Sequence, residues 1–565
     1  MKRSTYIWSL LVGCVAFATS CDLTEDVQVK ADKSMIFGSK SGLELYSNSF
    51  YKALPTLKNG FMQDKMCDVG AVSNTDTFIK RGAYNTETAT SWSWGALKNV
   101  NYFIDGCNDP KYCTVEAETR DNYLGIARWF RAWFYYDKLT TYGEVPWFPN
   151  DIQSYQNDVM YKDRDSRDVI IRNLIADLDF AYEHIQATSS TGSATLTRWA
   201  AAALKSRVCL FEAAYRRYHN LTGLEITPEE LYREAAKAAK LVIDNSGCSL
   251  NTAAGKKGAY RDLFYSETPL TQEVILAVCA NEKSGIFGEQ NWWFNARSYG
   301  LCWSLVRSFV HTYLKQDGTP FTAAADYAVK SFAEEMEGRD LRLEQTVRGR
   351  NFLWDGKTAV ADIKNLSLTG YQVIKYTLDE SKYDGGAKNI NSIPLIRYAE
   401  VLLNYAEAQA ELGVITDSEW ALTVGALRKR AGITGGTETL PTTVDSYLQR
   451  TFYPDVTSPV LLEIRRERAI ELVAEGMRFD DLRRWKCGSL METLPWSGIH
   501  IPGLEQPVDV NGDGVNDYYF TEGEVASAPA AYKNIAVRVN QDGVGLYAEA
   551  NPVSGYDLVY KTGAG

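Results

Sequence analysis

Apolar residues recur along much of this chain at the spacing of amphipathic helices. The clearest case is ITPEELYREAAKAAKLVID, where Leu231, Ala235, Ala238 and Val242 form one stripe. Thr227 is placed as the N-cap, Pro228 as the first helical residue and Glu230 as the third, which makes a capping box. Ile226 and Leu231 are positioned as a hydrophobic staple, and Asn245-Ser246-Gly247 predicts the stop. Over 167–186, Ile171, Ile175, Leu178, Tyr182 and Ile185 fall at spacings of 4, 3, 4 and 3. Similar periodicity predicts helices over 121–140, 198–218, 396–412 and 458–486. In 198–218 the run Ala200 to Ala203 leaves a face almost without side chains, so another helix can come close. These features predict a mainly α fold, a tetratricopeptide-like frame of helical pairs, although no repeat of about 34 residues is visible. The stretches 248–395 and 488–565 are rich in Gly, Asn, Tyr and Trp with little helical period. They read as long irregular loops on the frame, where binding sites usually lie.

The N-terminus has a different pattern. Lys2 and Arg3 precede an uncharged apolar run from Tyr6 to Phe17, followed by Ala18, Thr19, Ser20 and Cys21. This is the layout of a secretory signal, and a dozen apolar residues are too few to span a bilayer core of about 30 Å. The small-small-Cys ending resembles a lipobox, with Ala18 where Leu is usual, and makes Cys21 the lipidation site. Asp22, Glu25 and Asp26 resemble the export signal of Bacteroidetes surface lipoproteins; a solvated acidic tether is the alternative. The expected organisation is a signal peptide over 1–20, an acylated tether over 21–40, and a single domain over 41–565. No Pro/Gly/Ser linker divides the chain after about residue 40.

Composition narrows the function classes. Removing residues 1–20 takes away Lys2 and Arg3, so the formal net charge moves from −11 to −13. A mildly acidic surface argues against nucleic acid as a partner. Only 4 His are present, with no paired spacing, which disfavours a His-based metal site or triad. Eight cysteines follow Cys21, too few for a disulfide scaffold; Cys209 in RVCLF reads as a small buried hydrophobe, and Cys107 and Cys113 are close enough in sequence to bridge.

Several phrases resemble the SusD/RagB family of outer-membrane nutrient-binding lipoproteins. They are LKNVNYFID (97–105), ARWFRAWFYYDKLTTYGEVPWF (127–148), LTRWAAAALKSRVCLFEA (196–213), IPLIRYAEVLLNYAEAQAELG (393–413) and ERAIELVAEGMRFDDLRRWKCG (467–488). Their order and separation also fit, over roughly residues 40–490; the family's closing Pro-Ile-Pro phrase is not recognisable in 530–565. Most of these residues read as structural, with Arg478, Asp481 and Arg484 forming a charge network over Trp485. The resemblance implies a SusD-like fold and a cell-surface protein that captures oligosaccharides and delivers them to a SusC-like TonB-dependent transporter. Capture of peptide is the alternative within the family. A surface glycoside hydrolase would need two carboxylates about 5–9 Å apart, and no such catalytic motif stands out. No enzyme activity, and no cofactor for catalysis, is expected.

Sugar rings pack their C–H faces on aromatic rings while amides, carboxylates and Arg satisfy the hydroxyls. Two segments supply such groups. RGAYNTETATSWSWGALKNVN (81–101) holds Arg81, Trp92, Trp94 and Asn101, with Trp94 starting the helix and so the more buried of the pair. GEQNWWFNARSYGLCW (288–303) holds Trp292, Trp293, Arg297, Tyr299 and Trp303. These residues are the candidate ligand contacts; core filling behind loops is the other reading of each ring. DVNGDGVND (509–517) places Asp509, Asn511, Asp513 and Asp517 at positions 1, 3, 5 and 9 of an EF-hand-like loop, but Phe520 stands where the bidentate Glu belongs. Both a structural Ca2+ and a metal-free loop of Asx turns fit that pattern.

Overall fold

The computed structural model describes residues 33–58, 64, 67–73, 92–153, 155–189, 191–295 and 302–562. The fold is mainly helical, and the described residues begin inside the expected tether. Helices α1 (Lys33–Phe37) and α2 (Lys40–Ser47) come first, with Phe37 fully buried in the helical core. The frame follows as α3 (Gly95–Asn108), α4 (Ala117–Tyr142), α5 (Arg167–His184), α6 (Arg198–Tyr218), α7 (Pro228–Asn245) and α8 (Tyr398–Glu411). Neighbours pack in order: α3 on α4, α4 on α5, α5 on α6, α6 on α7, and α7 on α8. The alanine face of α6 is buried throughout, which allows α7 to approach. The capping box of Thr227 and Glu230 forms as expected, with Pro228 at the first turn and Ser246 as the C-cap. Among the described residues no helix is long and apolar enough to cross a membrane.

The expected helix over 458–486 is two helices, α9 (Pro459–Glu471) and α10 (Arg478–Arg484). The break between them is held by side chains from elsewhere. Tyr260 donates to the Glu471 carbonyl at 2.8 Å, Arg397 Nη2 to the same carbonyl at 2.7 Å, and Lys375 Nζ to the Val473 carbonyl at 2.7 Å. Asp64 then accepts from the Gly476 and Arg478 amides at 3.0 and 3.2 Å. The carbonyls that end one helix and the amides that begin the next are thus satisfied by long-range partners, which periodicity cannot reveal.

Strand β1 (Gly70–Ala71) lies before the frame, and the first stretch expected to be irregular contains short strands: β2 (Val274–Val278), β3 (Ser304–Leu305), β4 (Leu353–Trp354), β5 (Lys357–Thr358) and, at its end, β6 (Ile393–Arg397). The C-terminal stretch then holds β7 (Ser497–Ile501), β8 (Pro507–Val508), β9 (Tyr518–Thr521), β10 (Ala536–Arg538), β11 (Gly545–Ala550) and β12 (Tyr556–Lys561). They form two three-stranded sheets, β10–β9–β8 and β11–β12–β7, so 488–565 is β-rich rather than a set of loops. Among the described residues only β9 and β10 pair in parallel. These sheets build a second hydrophobic core around Leu305, Tyr371, Ile501 and Phe520, beside the helical one. The eight described cysteines are free thiols, so Cys107 and Cys113 are not bridged. Cys209 is fully buried, as its apolar neighbours indicate.

Between the cores lies a buried ion network. Glu471 accepts from Arg397 at 2.6 Å, from Arg342 at 2.7 Å, and from Arg430. Arg397 also reaches Glu273 at 3.0 Å and Glu475 at 2.7 Å, and Lys375 shares Glu475 at 2.7 Å. Farther along, Arg478 pairs with Asp68 at 2.7 Å, while Asp481 bridges Arg468 and Arg484 at 2.8 Å. Arg484 also holds Glu407, on which Trp485 Nε1 donates at 2.9 Å. Removing one partner of a buried pair leaves a stranded charge, at a cost of about 3–5 kcal/mol. Glu471→Ala is therefore expected to lower unfolding stability by about that amount in urea titrations.

A second buried carboxylate gives a pH signature. Burial alone would raise the Glu335 carboxyl, but hydrogen bonds from His311 and Tyr371 and the Arg307 charge hold it down at about 2. Its depressed value adds stability above the unfolded carboxylate range near about 4.3, which is lost as pH falls through 2. The difference in urea midpoint between wild type and Glu335→Gln should accordingly shrink across that acidic window.

Candidate functional site

The first aromatic surface stands where α3 begins. Trp94 is its N-cap residue, half-buried against Phe134 and Phe148 at ring distances of 5.5 and 5.3 Å. Trp92 is 43% exposed and meets Trp94 edge-on at 5.1 Å and Tyr142 at 4.8 Å. The Arg164 guanidinium lies 5.8 Å from its ring centre. The burial order expected for this pair holds. Tyr142 closes α4 and also borders a groove of about 1360 Å3, whose walls include Trp133, Tyr136, Tyr215, Phe479 and Asp480. His219 in this groove stacks on Tyr215 at 4.1 Å, with Nε2 2.8 Å from the Arg483 carbonyl. Sequence reasoning did not single out this groove, though Trp133, Tyr136 and Thr140 at spacings of 3 and 4 mark one face of α4.

Asn101 is not a ligand contact. It is 1% exposed, and its amide donates to the Phe148 carbonyl at 2.8 Å and the Asn150 carbonyl at 3.0 Å. Its place on the inward face of α3 spends the side chain on fixing the turn after Pro146. Arg81 lies outside the described residues, as do Arg297, Tyr299 and the lipidation candidate Cys21.

The second surface is the short helix Gln290–Asn295. Trp292 and Trp293 are both half-buried, their rings 5.1 Å apart and inclined at 57°. Trp293 rests on the second core, and its Nε1 is buried with no hydrogen-bond partner among the described residues. Beside them runs a polar row. Asp384 Oδ1 accepts from Asn291 at 3.2 Å and Asn295 at 3.1 Å, and Gln372 donates to Asn295 Oδ1 at 3.2 Å. Asn291 is itself locked to the Leu378 carbonyl at 2.7 Å. Burial raises the Asp384 carboxyl above its usual range. Trp303 departs from its expected role: it is 4% exposed and belongs to the second core.

No ring contact joins Trp92 to the Trp292–Trp293 pair among the described residues. Strand β3, which directly follows the second segment, pairs antiparallel with β1, Gly70 opposite Leu305 and Ala71 opposite Ser304.

At 509–517 the chain closes on itself. Asp509 accepts from the Gly512 and Gly514 amides at 2.7 and 2.8 Å, Asp513 from Val515 at 2.9 Å, and Asp517 from Val510 at 2.8 Å. These Asx turns give the loop its shape. Among the described residues no group of three or more His, Cys, Asp or Glu is arranged to hold a metal ion.

A frame of packed helical pairs, joined through buried ions to a β-rich half and displaying half-buried tryptophans beside amides, defines a class of helical scaffold with an aromatic face. Residues 272–541 match the model of the SusD family, and the chain as a whole has a SusD-like fold. Among solved structures, a SusD-like carbohydrate-binding protein from Bacteroides fragilis shares 18% identity at a TM-score of 0.67, covering 94% of this chain and 95% of its own. A second SusD-like protein from Bacteroides fragilis shares 22% identity at 0.61, covering 83% and 90%. A structure solved with xylogluco-oligosaccharide shares 19% identity at 0.52, covering 79% and 82%. No curated protein matches the sequence.

The two roles assigned at α3 are separable by experiment. Asn101→Ala should cost about 1–3 kcal/mol of stability by stranding the buried Phe148 carbonyl, read as a lowered thermal midpoint. Trp92→Ala, which removes an exposed ring, should leave that midpoint nearly unchanged.

Proposed function

We propose that this chain is a cell-surface glycan-binding lipoprotein. It is anchored through lipid on Cys21 at the outer membrane, captures oligosaccharides and passes them to a SusC-like TonB-dependent transporter. It breaks no bond: capture is the whole of its chemistry. The observation that carries this reading is the Trp292–Trp293 pair beside the Asp384, Asn295 and Gln372 row. Two inclined indoles offer flat apolar area to sugar C–H faces, and side-chain amides with a carboxylate match hydroxyls. The low identity to the xylogluco-oligosaccharide structure lends support through the shared fold. Side-chain polar groups next to indole rings suit a sugar better than a peptide, which asks for backbone partners and side-chain pockets.

Affinity electrophoresis through gels of plant and host polysaccharides tests the ligand class. The wild-type protein should be retarded by at least one of them, and Trp292→Ala and Trp293→Ala should each weaken retention about tenfold, the equivalent of about 1.4 kcal/mol. Unchanged retention in both variants would remove this pair from the site. The anchor has its own test: Cys21→Ala should abolish incorporation of labelled fatty acid and move the protein out of the membrane fraction.

A further inference from the structure

A second, smaller cavity lies away from both aromatic surfaces. It measures about 370 Å3 and forms where residues 329–334, the end of β7, strand β8 and the β11–β12 turn meet. That is the low end of the range for small-molecule sites. Phe332, Pro507 and Val508 give it apolar walls, while Glu334, His500 and Ser554 bring polar atoms. No Lys or Arg is among its described lining residues.

His500 is the built element of this site. It is 7% exposed, and its Nδ1 lies 3.0 Å from Asp557 Oδ1. Asp557 also accepts from Arg307 at 2.5 Å and Asn551 at 2.9 Å. Burial would raise the Asp557 carboxyl, but the hydrogen bond from His500 and the Arg307 charge outweigh it and hold the group below the usual range. An ionised carboxylate only accepts, so Nδ1 carries the ring proton. In the neutral imidazole Nε2 is then an acceptor, and it has no partner among the described residues.

Gly555 backs closely onto the Nε2–Cε1 edge of the ring. A Cβ at Gly555 would sit 2.8 Å from both Nε2 and Cε1 of His500, and the glycine's φ of +65° disfavours a side chain independently. Glu334 commits Oε2 to the Ser331 amide and hydroxyl, each at 2.8 Å, in a capping box that leaves Oε1 unused. The Asp509 carboxylate at the rim is spent on its own loop. The cavity therefore presents acceptors, with negative charge nearby, between apolar walls. Anions are repelled, and a compact neutral molecule rich in hydroxyl donors is accommodated.

We propose that this cavity binds one hydroxylated ring, the size of a single sugar residue or a comparable polyol, which donates a hydroxyl hydrogen bond to His500 Nε2. The assignment rests on this cavity's own lining and not on the oligosaccharide reading of the tryptophan surface.

Only 4 His occur in the chain, so full-length protein labelled at the histidine ring carbons should show few signals. Titration with glucose, galactose, mannose, xylose and inositol should give a saturable shift of one signal with at least one compound. That signal should be missing in His500→Gln, while the signals of His184, His219 and His311 stay in place. Ser554→Trp, at an exposed rim position, should weaken the response at least tenfold without disturbing the fold. Trp292→Ala should retain it, even where it has lost polysaccharide retention. The proposal is overturned if no compound gives a saturable His500 shift, if the shift survives unchanged in Ser554→Trp, or if inorganic phosphate produces it equally well.

Discussion

Carboxylates and guanidinium groups shut away from water join the two halves of this molecule, and Glu471 stands at their centre. Burying an ion costs several kcal/mol unless its partners are well placed. Here each ion is shared: Glu471 serves Arg342, Arg397 and Arg430, and Arg397 serves Glu273, Glu471 and Glu475. The partners come from strand β6, helix α9, the residue before β2 and the short helices Arg342–Thr346 and Val424–Arg430, so no element can shift without stranding a charge. A slip of β6 by one residue would turn Arg397 to the opposite face of the ladder. Such a network contributes less to total stability than an apolar core of equal volume would. Its effect is to admit one arrangement of the two halves and to penalise the others heavily.

The same constraint extends to the ligand-facing surface. Because Arg397, Tyr260 and Lys375 take the carbonyls at the end of α9, the chain leaves the helix there and re-enters as α10. Asp64 caps that second start, and Arg478 on α10 clamps Asp68. Those two aspartates precede β1, and its ladder partner β3 directly follows the second candidate segment, 288–303. The ion network thus reaches the neighbourhood of that segment through short-range hydrogen bonds rather than through a continuous sheet.

Much of the frame was legible because helices report themselves locally. Thr227, Pro228 and Glu230 mark a start within four residues, and the Ala200 to Ala203 face announces close packing. The break between Glu471 and Arg478 was not legible, since it is stabilised by Asp64, Tyr260 and Lys375, far away in sequence. The β-rich C-terminus was missed for a related reason. Its strands are mostly two to six residues long, too short for alternation to stand out, and β9 pairs with β10 in parallel across a connection. At the candidate site, residue type marked Trp92, which is exposed, and Trp292, which is half-buried, but it carried no information on orientation. Asn101 and Trp303 have the right chemistry and face the interior, because which side of an element a residue occupies depends on what packs behind it.

Rigidity explains how a shallow surface could hold a neutral, heavily hydrated ligand. Binding costs free energy for every side chain that must be ordered, so groups already fixed retain more of their contact energy. Trp293 is seated on the second core, and Asn291, Asn295 and Gln372 form one connected hydrogen-bonded row. Within that row Asp384 has both amides on Oδ1, and Oδ2 is uncommitted among the described residues. A half-buried carboxylate with one unused oxygen has lost hydration without full replacement, which is why burial raises its carboxyl. A hydroxyl donated to Oδ2 would restore that missing interaction in the place where two indoles supply apolar area. The polar row thus has two roles at once. It orders the loop that carries the rings, and it keeps an unsatisfied acceptor beside them that a hydroxyl can fill and a purely apolar ligand cannot.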